Sequence, residues 1–193
     1  MSFAVATRSS LVILLIPCLA LAADPASKPT SPPRKDTHTK RKVAVPEHGA
    51  FEINLPSTWK YSTEPTPEGG GDTLRLEPPT GDRFLLMATP VWVPEGNRDA
   101  RNAATWMRVR LHNQTVEQDI PIEEFHGSRN VVYWFSATNK WPGPGEHEAM
   151  VQGAAMVGQL LVGFTLLHHS GNLPERAAVL KALGDAKHLD PAL

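Results

Sequence analysis

The sequence predicts an α+β fold built on one mostly antiparallel sheet covered by two helices. Three observations predict it. Apolar and polar residues alternate along several short runs. The spacing changes twice to that of an amphipathic helix. Two long apolar runs meet at Gly158-Gln159, a two-residue turn with glycine first. Helices separated by runs of hairpin-linked strands point to an antiparallel layer rather than to alternating βαβ units.

Each element has a local reason. Phe51, Ile53 and Leu55 alternate with Glu52 and Asn54 as a half-buried strand that Pro56 ends. Thr63 to Asp72 reads as a loop. Thr73 to Glu77 alternates again around Leu74 and Leu76. Gly81-Asp82 then turns the chain into an apolar strand from Arg83 to Val93, in which Pro90 signals an edge or a bulge. From Arg98 to His112 the stripe Ala100, Ala103, Ala104, Met107 and Leu111 predicts a helix capped by Asn97 or Asp99. Arg98, Arg101, Arg108 and Arg110 lie mostly off that stripe, on its exposed face. Glu117 to Phe125 reads as a strand, residues 127–130 as a turn, and Val131 to Ala137 as a strand of high β-propensity. Trp141 to Gly145 is an irregular loop. His147 to Val157 and Leu160 to His168 form the hairpin, and the second, nearly all apolar, belongs at the sheet centre. A last helix follows, capped by Asn172 with Glu175 three residues on. It buries Val179, Leu180, Leu183 and Ala186, and Gly184 weakens it.

Residues 1–22 read as an export signal. Arg8 supplies the positive flank, Leu11 to Leu21 the apolar run, and Ala20-Leu21-Ala22 a small-x-small cleavage site. That run is about half a membrane span, which argues against a transmembrane anchor and for a periplasmic or secreted location after cleavage near Ala22. Cys18, the only cysteine, lies inside the signal. Its rival reading as a lipid-modified cysteine meets Pro17 where a small residue is usual. The chain after cleavage has no disulfide, thiol nucleophile or thiolate metal site.

Residues 23–46 read as a disordered, basic Pro/Lys-rich linker, and residues 47–193 as a single domain. Six Lys/Arg against two Asp give Asp24 to Pro46 a charge of +4, and twelve Lys/Arg against eighteen Asp/Glu give Glu47 to Leu193 a charge of −6. The linker is either a solvated spacer or a contact for anionic surfaces. An acidic domain argues against nucleic-acid binding.

Enzyme motifs are missing: no Gly-x-Ser-x-Gly elbow, no phosphate-binding glycine loop and no His-Glu-x-x-His. Gly69-Gly70-Gly71 has no lysine beside it and reads as a flexible loop. Ser170 follows His168-His169, with Asp185 further on, but sequence neighbours at a strand end rarely assemble a hydrolytic triad. The best metal candidates are Glu146, His147 and Glu148 with His168 and His169, which the hairpin brings to one open end. Imidazole and carboxylate suit zinc or copper there, and solvated polar residues at a strand end are the plainer reading. Trp141, in a Pro/Gly loop, and Trp92, before Pro94-Glu95-Gly96, are candidate partner anchors unless both pack over the sheet.

Several of these pieces resemble the PsbP-like superfamily. They are the entry Phe51-Glu52-Ile53-Asn54-Leu55-Pro56 followed by Trp59, the helix near Arg98 to His112, and the Tyr/Trp-rich strand. The Gly158 hairpin leading to Phe164-Thr165-Leu166 and the last helix with Leu180 and Leu183 complete the set. Tyr133 to Met150 also resembles a segment of bacterial exported relatives. Thr58 stands where family members often have glycine before the tryptophan. The resemblance implies an α/β/α sandwich and a non-enzymatic binding or accessory role toward an envelope protein or polymer. The alternative is a small metal-binding protein.

Overall fold

The structure is a computed structural model and describes residues 37–66, 70–169, 171 and 173–191. The export signal, Cys18, the linker up to residue 36, Gly69, Ser170 and Asn172 lie outside these residues. The described chain forms strands β1 (His38–Ala44), β2 (Ala50–Pro56), β3 (Lys60–Glu64), β4 (Thr73–Glu77) and β5 (Phe84–Trp92), then helix α1 (Ala100–Leu111). Strands β6 (Glu123–His126), β7 (Val131–Thr138), β8 (Ala149–Val157) and β9 (Leu160–His168) follow, then helix α2 (Glu175–Gly184) and strand β10 (Lys187–Leu189).

The α+β class is what the sequence predicts, but there are two sheets rather than one. Seven strands pair antiparallel in the order β3-β4-β5-β9-β8-β7-β6, and three in the order β1-β2-β10. Alternation along each strand separates two faces of the large sheet. Phe84, Leu86, Val162, Phe164 and Leu166 on one face share a core with Val43, Phe51, Ile53 and Leu55 of the small sheet and with Val179, Leu180 and Leu183 of α2. On the other face Phe135 and Ala137 pack with Ile120 and with Met107 and Leu111 of α1.

The expected linker over 23–46 is wrong at its end, because β1 occupies His38–Ala44. That segment has few apolar residues, but β2 provides a complete antiparallel ladder from His38↔Pro56 to Ala44↔Ala50. Val43 is buried, Arg41 lies over the Tyr61 ring at 4.8 Å, and Lys40 and Lys42 reach Glu52 at 3.5 and 3.9 Å. Non-local partners thus offset the ordering entropy that composition alone cannot.

The expected strand from Glu117 to Phe125 shrinks to β6. Pro121 cannot donate to a ladder, and the Glu117 carboxylate is taken by the Thr138 N–H (2.9 Å) and hydroxyl (2.7 Å). Burial works against ionisation of Glu117, but those bonds and its own amide outweigh it and hold its pKa below the ordinary value. Pro90 lies in β5, an interior strand, rather than at an edge. The β4 ladder stops at Ala88, however, and the Pro90 carbonyl accepts the Gly71 N–H at 3.2 Å, so no ladder bond needs the missing donor.

Helix α1 starts as expected with Asp99 accepting the Asn102 N–H at 2.9 Å. Its arginines do more than coat a surface. Arg98 donates to the Val93 carbonyl, Arg108 to the Ile120 carbonyl, and Arg101 pairs with Glu124. Helix α2 has Pro174 at its N-cap, and the expected cap, Asn172, lies outside the described residues. Gly158 has φ +61°, the left-handed value that a glycine-first hairpin turn uses, and β9 is the fourth of the seven strands, as its apolar run predicts.

Candidate functional site

Helix α1 makes its main contacts with β8, β7 and β9. Its packing on β5 and β4 is slight at most, so among the described residues that part of the sheet face is left open. The result is a trough of about 560 Å³ between α1 and the β3–β4 hairpin. Its floor carries Met87 and Val91 from β5 and Leu161, Gly163 and Thr165 from β9, and Met107 of α1 forms one wall. Gly163 sets that wall: a Cβ there would lie 2.9 Å from Met107 Cε, so its absence lets the methionine rest on the sheet.

Four threonines supply the polar groups of the trough. Thr73 and Thr89 share a hydrogen bond at 2.8 Å, Thr66 stands 3.4 Å from Thr73 and donates to the Gly71 carbonyl at 2.8 Å, and Thr165 accepts the Gln152 amide at 2.9 Å. Next to Thr165, the buried Gln152 Oε1 has no partner among the described residues. The charges beside this floor are paired: Arg75, across from Met87, bonds Glu64 at 3.4 Å and Glu77 at 3.0 Å. An interior of methyls, thioethers and hydroxyls, with these charges paired, suits a neutral and mostly apolar molecule. The volume falls within the roughly 300–1,000 Å³ usual for small-molecule sites.

The sequence-predicted metal residues separate. His147 and His169 come together at the open hairpin end, their rings stacked with centroids 4.9 Å apart. Both face Asp82: His147 Nε2 donates to its carbonyl at 3.0 Å, and His169 Nε2 lies 3.6 Å from its carboxylate. His168 is instead buried, and its Nδ1 donates to the His169 carbonyl at 2.7 Å. Glu146 folds back on the Gly143 N–H at 2.9 Å, and the Glu148 carbonyl accepts the Asn139 N–H. Among the described residues no three such side chains stand grouped around an ion position. Beside them a polar cleft of about 290 Å³ gathers Glu117, Ser136, His168 and Arg176. Two of these are committed elsewhere, Glu117 to Thr138 and Arg176 to the Trp134 ring at 5.3 Å.

The two tryptophans also part company. Trp92 stacks on His48 with centroids 4.3 Å apart and packs against the core. Trp141 is 68% exposed, with Lys140 Nζ 4.9 Å from its ring. Trp106, on the outer face of α1, is 63% exposed and was not singled out by sequence reasoning. Asp82 was missed as well, although its turn opens the strand that pairs with the one ending at His168. No family model matches the chain, and no curated protein matches it.

Proposed function

We propose that this chain is an exported, non-catalytic binding protein that holds a neutral, mostly apolar ligand in the trough beside α1. The observation that carries this reading is the partly open sheet face, apolar and lined with threonine hydroxyls. Export rests on the Arg8 flank, the Leu11 to Leu21 run and the Ala20-Leu21-Ala22 site. No helix among the described residues is long and apolar enough to cross a membrane. Helices packed on opposite faces of the large sheet support the α/β/α layering and, with it, the PsbP-like assignment. Trp141, exposed between Lys140 and Pro142, offers an anchor for an envelope partner.

Titration with the neutral apolar dye N-phenyl-1-naphthylamine tests the reading. Saturable, blue-shifted fluorescence is expected, and Met87→Glu should weaken it about tenfold or more, since it sets a carboxylate, with Arg75 directly across from it, on the apolar floor. Trp141→Ala should leave it unchanged. An absence of saturation, or equal binding by a folded Met87→Glu protein, overturns the reading.

The convergence of His147 and His169 on Asp82 favours a second reading, a small zinc- or copper-binding protein. An ion there has to displace the His147–Asp82 bond and open the ring stack. Excess zinc should then raise the thermal midpoint, and His147→Ala with His169→Ala should abolish the rise. No rise, or one that survives both substitutions, excludes this reading.

A further inference from the structure

We infer that the outer face of the small sheet docks on the anionic headgroups of a lipid bilayer. Strand register places the side chains. Lys42, Glu52 and Lys187 stand directly opposite one another across β1, β2 and β10, so they share one face, and Lys40 lies two residues along β1 on the same side. Glu52 is the carboxylate in the middle of that face, and Lys40 and Lys42 both lean on it. Both lysines remain open to solvent, with side chains 66% and 62% exposed. Lys187 also lines a cleft with Arg129 of the β6–β7 turn, and neither carries an ion pair among the described residues. The one acid in that cleft, Asp190, lies 3.8 Å from His188.

Three cations around one neutralised carboxylate thus share a face of the small sheet, with Arg129 in the cleft beside Lys187, in a domain whose charge from Glu47 to Leu193 is −6. Their spacing identifies the partner. Lys40 and Lys42 are about 7 Å apart along a strand, and Lys42 and Lys187 about 10 Å apart across two strand spacings. Cations that lie side by side rather than converging fit an extended anionic surface, not a single phosphate. Protection of free strand edges explains lysines on β1 and β10 but not Arg129, which sits on a turn. The inference goes beyond the trough reading and does not depend on it.

Co-sedimentation of the full chain with vesicles tests this. Vesicles of phosphatidylcholine alone set the baseline, including any binding by the apolar N-terminus. Doping with phosphatidylglycerol should add a component that high salt removes. Lys40→Gln, Lys42→Gln and Lys187→Gln together should cut that component roughly 100-fold, at about fivefold per lysine. Glu52→Gln should strengthen it about fivefold, a gain that misfolding does not produce. Met87→Glu should leave it untouched, which separates this outcome from failure of the trough reading. The inference is overturned if phosphatidylglycerol adds nothing, or if Lys28→Gln, Arg34→Gln and Lys35→Gln remove as much as the sheet variant. Lysine-dependent binding to soluble polyphosphate without binding to the vesicles overturns it too.

Discussion

Replacing Gly127 by alanine is expected to cost about 3–5 kcal/mol of folding stability, at the severe end for a single methyl group. A Cβ on Gly127 would lie 2.3 Å from Gly184 Cα and 2.4 Å from its carbonyl carbon and oxygen. Those are backbone atoms at the last turn of α2, so no side chain can swing aside. Relief requires the end of α2 to part from the β6–β7 turn. That contact is where the turn takes the helix's last carbonyls: the N–H groups of Arg129 and Asn130 both donate to Gly184 at 3.0 and 2.9 Å. The Asn130 amide adds bonds to Leu183 and Ala186 at 3.1 and 3.0 Å. Asp185 fastens the same junction by accepting the N–H and hydroxyl of Ser128. Lys181, then Ser128, hold its carboxyl well below the usual carboxylate range. Overpacking costs about 1–3 kcal/mol, and each strained hydrogen bond adds about 1 kcal/mol. Urea denaturation reads the difference directly. An unfolding free energy within about 0.5 kcal/mol of the parent's would show that the two backbones are not in contact.

The sequence alone identifies Gly184 only as a weakness in a helix, because the reason for it, Gly127, lies elsewhere in the chain. The same division runs through the fold. The alternation of Phe51, Ile53 and Leu55, the Gly158 hairpin and the apolar run of β9 are local patterns, and they locate their strands closely. Strand β1 carries Val43 as its one large apolar residue and is ordered by β2, which follows a turn at residues 46–48. Strand β10 is three residues long and exists because β2 has a second edge to pair. No window of sequence contains either partner relation. Glu52 shows the effect in a single residue: it looks like the polar half of an alternation, yet it is buried under Lys40 and Lys42.

The candidate sites divide in the same way. His147 and His169 are legible as neighbours because one hairpin joins their strands, whereas Asp82 requires the β5–β9 register of Phe84 with His168. Trp92 and Trp141 look alike beside Pro and Gly, and only tertiary packing distinguishes them. The trough was not legible, because it is a gap left beside α1. Thr73, Thr89 and Thr165 read individually as ordinary strand threonines, and their shared face emerges only once β4, β5 and β9 are aligned.

Phe51→Ala is the other change expected to have a large effect, about 3–5 kcal/mol, as for deletion of a fully buried aromatic ring. Phe51 sits opposite Val43 on one side and His188 on the other, so its ring lies at the middle of the three-stranded sheet. The ring is fully buried, within the core that joins this sheet to the large one. The cavity should therefore loosen β1 and β10 before the interior strands of the large sheet. Amide exchange reads this order: Val43 and Leu189 should lose protection more than Val151 and Val162. A total loss below about 1 kcal/mol, or equal deprotection of both sheets, contradicts the role given to the ring. The trough opens on the opposite face of the large sheet, between α1 and the β3–β4 hairpin. While the variant remains folded, its affinity for the apolar dye should therefore match the parent's, whereas vesicle binding, which needs β1 and β10 held in register, should fall.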